Sequence, residues 1–194
     1  MWYSPDLLAA WGISLLLAPT TLPVVASFPA ATLCDRPALV LPRSITLEDD
    51  LEPLIRSTLE YSPRFRAQCR ALASAPKFSA TVKIVDRRSP MAPRAVTIFH
   101  RNASGSLTAD IEIAELAQAI ELIAHEFEHV IEQLDDVDLE ALAKSGQARR
   151  MRDGAFETNR AAAAGLQVAG EVYDHSPDVF KKFFRTAWRV MMRR

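Results

Sequence analysis

Five consecutive residues, His125-Glu126-Phe127-Glu128-His129, set two imidazoles around a carboxylate. In a helix, residues four apart project from the same side one turn apart, so His125 and His129 can share one Zn²⁺ ion. Glu126 would stand beside that ion, placed as general base on a metal-bound water. A helical wheel at about 100° per residue tests whether a helix here leaves those side chains accessible. His125, His129, Glu132 and Asp136 cluster on one side, with Glu126 at its flank. Ile120, Ile123, Phe127, Val130 and Ile131 fall away from them, as an amphipathic helix lying on a core requires. A structural His pair would sit within the apolar stripe, whereas this pair lies opposite it. The plain alternative is a solvated acidic face that carries two histidines.

Glu132 reads in two ways. It can accept an N–H from a ligand histidine and so fix the ring's tautomer, or it is a surface acid on a Glu-rich helix. Glu128 reads as solvated.

Two histidines give half of a tetrahedral site, and a catalytic site commonly has three protein ligands plus a water. Glu157 is the expected third ligand. Asp153-Gly154 predicts a helix start and a helix over 155–172, with Glu157 near its beginning. Ala161, Ala164, Gly165 and Val168 continue the face of Glu157, and small side chains let another helix approach closely. Glu171, Asp136, Asp138 and Glu140 compete for the role. Glu171 lies several turns further on, and the three acids follow the motif too closely to fold back.

The elements before the motif are legible from their periods. Thr46 reads as an N-cap followed by acids at 48–50, and Leu51, Leu54, Ile55 and Leu59 repeat at helical spacing. Ser62-Pro63 starts a second helix carrying Phe65, Cys69 and Leu72, with Arg64, Arg66 and Arg70 on its wet side. Alternation then predicts strands over 79–85, 95–100 and 106–113, the last two joined by a turn at 102–105. The expected fold class is α+β, with a small, mainly antiparallel sheet followed by the motif helix. Ser176-Pro177 starts a C-terminal helix with Phe180, Phe183, Phe184, Ala187 and Met191 on one stripe and basic residues elsewhere. That helix either closes the core or lies on a membrane surface.

His125-Glu126-x-x-His129 followed by Glu157 in a small-residue helix resembles a compact, single-domain gluzincin-type zinc metallopeptidase. The resemblance covers about residues 79–172. It implies a zincin-like fold in which a sheet precedes the active-site helix and a second, "glutamate" helix completes the metal site. It further implies Zn²⁺ as cofactor, His125, His129 and Glu157 as ligands, Glu126 as catalytic base, and a peptide or protein as substrate. An edge strand above the cleft would bind extended peptide by strand addition, and residues 106–113 are the candidate. Arg160-Ala161 stands where several gluzincins carry an acid that braces a zinc-bound histidine. Tyr173 and His175 are the preferred oxyanion donors, ahead of His100 and Arg160. The competing readings are a degenerate zincin or non-enzymatic interaction module, and a metal-dependent hydrolase of a non-peptide bond.

Composition bounds the rest. The chain has 194 residues, enough for one ordinary domain, and 49% apolar residues permit a real core. A net charge of −1 argues against nucleic-acid binding by bulk electrostatics. Residues 1–26 form a signal-like apolar segment, 27–45 a Pro-rich linker, and 46–194 a single domain. Val24-Val25-Ala26 before Ser27 suits signal cleavage, although the segment opens without Lys or Arg and carries Asp6. An exported protein, periplasmic or secreted, is therefore expected, with an uncleaved membrane anchor as the alternative. Pro19 and Pro23 interrupt a continuous spanning helix. In an exported chain Cys34 and Cys69 could pair; otherwise they are two unrelated buried thiols.

Overall fold

Period-two hydrophobicity becomes a four-stranded mixed sheet, and period-3.6 hydrophobicity becomes the helices on one of its faces. The computed structural model describes residues 40–86 and 92–175. The signal-like segment, Cys34 and the C-terminal basic helix lie outside them. The architecture is α+β. The strands are β1 (Ile45–Leu47), β2 (Phe78–Ile84), β3 (Ala95–Arg101) and β4 (Leu107–Ile113), in the order β1-β2-β4-β3. Phe78, Ala80 and Val82 of β2 and Leu107, Ala109, Ile111 and Ile113 of β4 are buried on one face. The alternate positions carry polar groups, including a Lys83–Glu112 pair at 3.1 Å.

The expectation of a mainly antiparallel sheet is corrected. β1 pairs β2 in parallel, with Ile45 opposite Ala80, and β2 pairs β4 in parallel, with Phe78 opposite Leu107. The β3–β4 hairpin alone is antiparallel. Two helices, α1 (Glu52–Tyr61) and α2 (Pro63–Ala73), make the crossover that a parallel β1–β2 pair requires. The chain then reverses twice, and β4, the strand with the cleaner apolar alternation, takes the central place beside β2. β3 carries His100 and Arg101 and is left at the edge, where charges are tolerated. The candidate edge strand is therefore 95–101, not 106–113. The hairpin turn closes as Asn102 Oδ1 accepts the N–H groups of Ser104 at 3.0 Å and Ser106 at 2.9 Å, and Gly105 supplies a φ of 77°.

Thr46 also departs from expectation. It lies within β1, and a short 3₁₀ turn over Asp49–Leu51 leads into α1. The neighbouring acid Glu48 accepts the Ile84 N–H at 2.6 Å, extending the sheet edge rather than capping a helix. Ser62 caps α2 as expected, accepting from the Phe65 N–H at 2.9 Å.

The motif occupies α3 (Ala119–Leu134), whose Ile120, Ile123, Phe127, Val130 and Ile131 are buried against sheet and α2. Phe127 stacks on Phe65 with ring centroids 5.5 Å apart. Beyond it come α4 (Leu139–Lys144), the hairpin β5 (Ala148–Arg150) and β6 (Phe156–Thr158), and α5 (Asn159–His175). The helix expected over 155–172 thus begins at Asn159, because residues 148–158 spend their backbone hydrogen bonds in a hairpin. α5 buries Ala161, Ala164, Gly165, Val168 and Val172 against its neighbours, α3 foremost. A Cβ on Gly165 would meet the Glu121 carbonyl oxygen at 2.8 Å and His125 Cβ at 3.2 Å, so glycine is what lets the two helices close at the motif. Cys69 is a buried thiol in α2, its pKa pushed up to about 12 by burial. Among the described residues no helix is long and apolar enough to cross a membrane.

Candidate metal centre

His125 and His129 leave α3 on the side away from the core and point at each other. Their Nε2 atoms are 3.1 Å apart, and the rings meet edge to face with centroids 4.8 Å apart. Glu157, on β6, brings Oε1 to 3.4 Å from His125 Nε2. The three donor atoms lie within 4.8 Å of one another. Ligand atoms around an ion with bonds of about 2.1 Å at tetrahedral angles lie about 3.4 Å apart; the His125–His129 and His125–Glu157 separations are near that value, and the three side chains could hold a metal ion. Glu157 therefore sits where the spacing of residues suggested, but on a strand two residues before the helix rather than on the helix itself.

The nitrogen of His129 that faces away from the cluster is also held. Glu132 is 1% exposed, and its Oε2 lies 2.9 Å from His129 Nδ1. Its Oε1 accepts from Thr158 Oγ1 at 2.7 Å. With Nδ1 donating to a carboxylate, Nε2 carries the lone pair that a metal needs. Of the two readings of Glu132, the structure favours the one that fixes a histidine. Burial works against charge on Glu132, but the bonds from His129 and Thr158 hold its pKa below the usual carboxylate range.

The same competition governs the cluster itself. Burial opposes charge on His125, yet the hydrogen bond and charge of Glu157, helped by Glu126 and Glu121, raise its pKa. Glu157 is correspondingly lowered despite its burial, by His125, His129 and Arg149. A cation in the cluster would replace the proton that His125 and Glu157 share.

Glu126 is 6% exposed and turns from the histidines toward the sheet, where its Oε2 accepts from Thr97 Oγ1 of β3 at 2.6 Å. A cleft of about 300 Å³ opens here. Ala95, Thr97 and Phe99 of the edge strand form one wall, Leu139, Met151 and Phe156 another, and His125, Glu126, His129 and Glu157 the base. It therefore sets a buried carboxylate beside three side chains that could hold a metal ion, in a mostly apolar trough.

Other expectations are redrawn. Glu171 accepts from Ser62 Oγ at 2.5 Å and from the Arg64 N–H at 3.1 Å, so it ties α5 to the start of α2 rather than reaching the cluster. Asp138 caps α4 through the Ala141 N–H, Asp136 lies 3.5 Å from Arg101, and Glu140 pairs with Arg150. Tyr173 and His175 do not line the cleft. They sit at the far end of α5, roughly 20 Å along its axis from Asn159 at 1.5 Å per residue, and the His175 ring stacks on Tyr61. His100 faces Asp110 at 3.5 Å on the exposed side of the sheet. Arg160 is spent on Glu128, 2.6 Å from Nε to Oε1.

Glu128 was expected in solvent but is 1% exposed. It accepts from Arg64 Nη2 at 2.8 Å, Gln68 Nε2 at 2.7 Å and Arg160, so Arg64 belongs to this network rather than to a wet face. Thr97 and Thr158 went unnoticed in the sequence. Thr97 alternates with Ala95 and Phe99, so a hydroxyl on an inward face was the signal. Thr158 carried the signature of a helix N-cap, and its Oγ1 does accept from the Ala161 N–H at 3.0 Å.

No protein-family model, curated protein or solved structure matches the chain. The site therefore stands on its own geometry.

Proposed function

We propose that this chain is a zinc-dependent metallopeptidase of the gluzincin type, with His125, His129 and Glu157 as ligands and Glu126 as base. The observation that carries this reading is the meeting of three donor atoms within 4.8 Å, two from α3 and one from β6, beside a buried carboxylate. When bound, zinc would act as Lewis acid toward the scissile carbonyl and lower the pKa of a water to about 7.

The chain's own groups do the rest. Glu126 takes a proton from the attacking water and returns it to the departing amine. Thr97 donates to one Glu126 oxygen and leaves the other for the water. His129 presents Nε2 because Glu132 holds Nδ1. β3 ends the sheet and walls the cleft, so an extended peptide can add to it as a further strand.

Glu126→Gln tests the reading, because it keeps the shape of the side chain and removes its basicity. Zinc content should match the parent, while turnover of a peptide library falls by about 10²–10⁴-fold. Cleavage at the parental rate would remove Glu126 from the mechanism. Hydrolysis confined to esters would favour a hydrolase of non-peptide bonds.

A further inference from the structure

The motif helix carries two carboxylates that face away from the cleft, and both reach the few residues that follow Glu157. Glu132 Oε1 accepts from Thr158 Oγ1 at 2.7 Å, and Glu128 Oε1 accepts from Arg160 Nε at 2.6 Å. Both carboxylates and Thr158 are 1% exposed, so the Glu132–Thr158 bond is made out of water, whereas Glu128 meets an Arg160 side chain that is 43% exposed. Neither carboxylate can easily turn away. Glu132 is also engaged by His129 Nδ1 at 2.9 Å, and Glu128 by Arg64 and Gln68 of α2 at 2.8 and 2.7 Å.

We propose that Thr158 and Arg160 are positioning residues which, through Glu132 and Glu128, lock the corner between β6 and α5 onto α3 and hold Glu157 at ligand distance from the histidine pair. This inference rests on the metal-centre reading above. Glu132 spans His129 and Thr158, so one side chain orients a ligand ring and fixes the residue next to the third ligand. Buried charges are a costly way to glue elements together, and an apolar pair would pack as well. What directional bonds add is a set distance between α3 and β6, and a metal centre needs that distance fixed to within a few tenths of an ångström.

The test is a competition titration of zinc against a chromophoric chelator, on the full chain, with the thermal midpoint of the metal-free protein measured alongside. Thr158→Val and Arg160→Gln should each weaken zinc binding by about 10–100-fold, whereas Thr158→Ser, which keeps the hydroxyl, should stay within about threefold of the parent. A purely structural role would lower the metal-free midpoint and leave the affinity of the folded protein unchanged, and that result overturns the inference. If Thr158→Val does not fold, Arg160→Gln and Glu128→Gln decide the matter by the same criterion. A parent that binds no zinc removes the metal-centre reading itself; a parent that binds, with variants that bind equally well, removes this inference alone.

Discussion

Glu132 shows how much a single residue's reading depends on the third dimension. On the wheel it is one more acid on an acidic face. In the fold its two oxygens are divided between His129 and Thr158, and solvent is excluded. Hydrogen bonds and neighbouring charges, acting against burial, set the pH behaviour of the metal-free site. Glu132 and Glu157 have pKa values below the usual 4.5, so the stability they contribute is present above that value and is lost as pH falls through their folded pKa values. His125 has a pKa above the usual 6.5, so its contribution is complete below that value and is lost as pH rises through the folded pKa. Metal-free protein should therefore melt highest between about 4.5 and 6.5 as far as these groups decide it, with zinc affinity climbing as pH rises and His125 gives up its proton. Calorimetry across pH, with and without chelator, checks both slopes. A metal-free midpoint that rises steadily from pH 6 to 8 would contradict the assignment of a raised His125.

At the scale of elements, the close packing of α3 on α5 decides whether the proposed ligands can meet. Gly165 sits at their crossing, where an added methyl group would lie 2.8 Å from a backbone carbonyl oxygen. Gly165→Ala has two opposed effects. Helix propensity favours alanine by about 1 kcal/mol, and overpacking costs about 1–3 kcal/mol. The clash is with backbone, which cannot swing aside like a long side chain, so the overpacking should win. The variant should lose about 1–2 kcal/mol in denaturant unfolding and bind zinc more weakly, because His125 Cβ is the next atom displaced. A variant more stable than the parent would show that the helices are not in contact there.

The elements also show what the sequence could and could not carry. The period of α3, its buried face and the small-residue stripe of α5 were all readable, because they depend on local spacing. The pairing of β2 with β4 was not, since three strands in a row predict a meander unless the central place goes to the most apolar one. The hairpin holding Glu157 was missed for a related reason. Its two strands have three residues each, too few for alternation to stand out from a helical pattern.

For the whole molecule, the two halves of the site come from distant parts of the chain. β1 to β4 build a floor, α3 lies on it with the histidines outward, and the segment after α4 returns to bring Glu157 over them. The arrangement sets Glu126, His125, His129 and Glu157 at the foot of a cleft whose other wall is the edge strand, a placement that suits the proposed peptidase. Zinc content per chain, measured after equilibration with the ion and gel filtration, tests this account most directly. The account predicts one zinc per chain in the parent and in Glu126→Gln, and none in His125→Ala; a parent without zinc, or a His125→Ala variant that keeps it, would contradict the account.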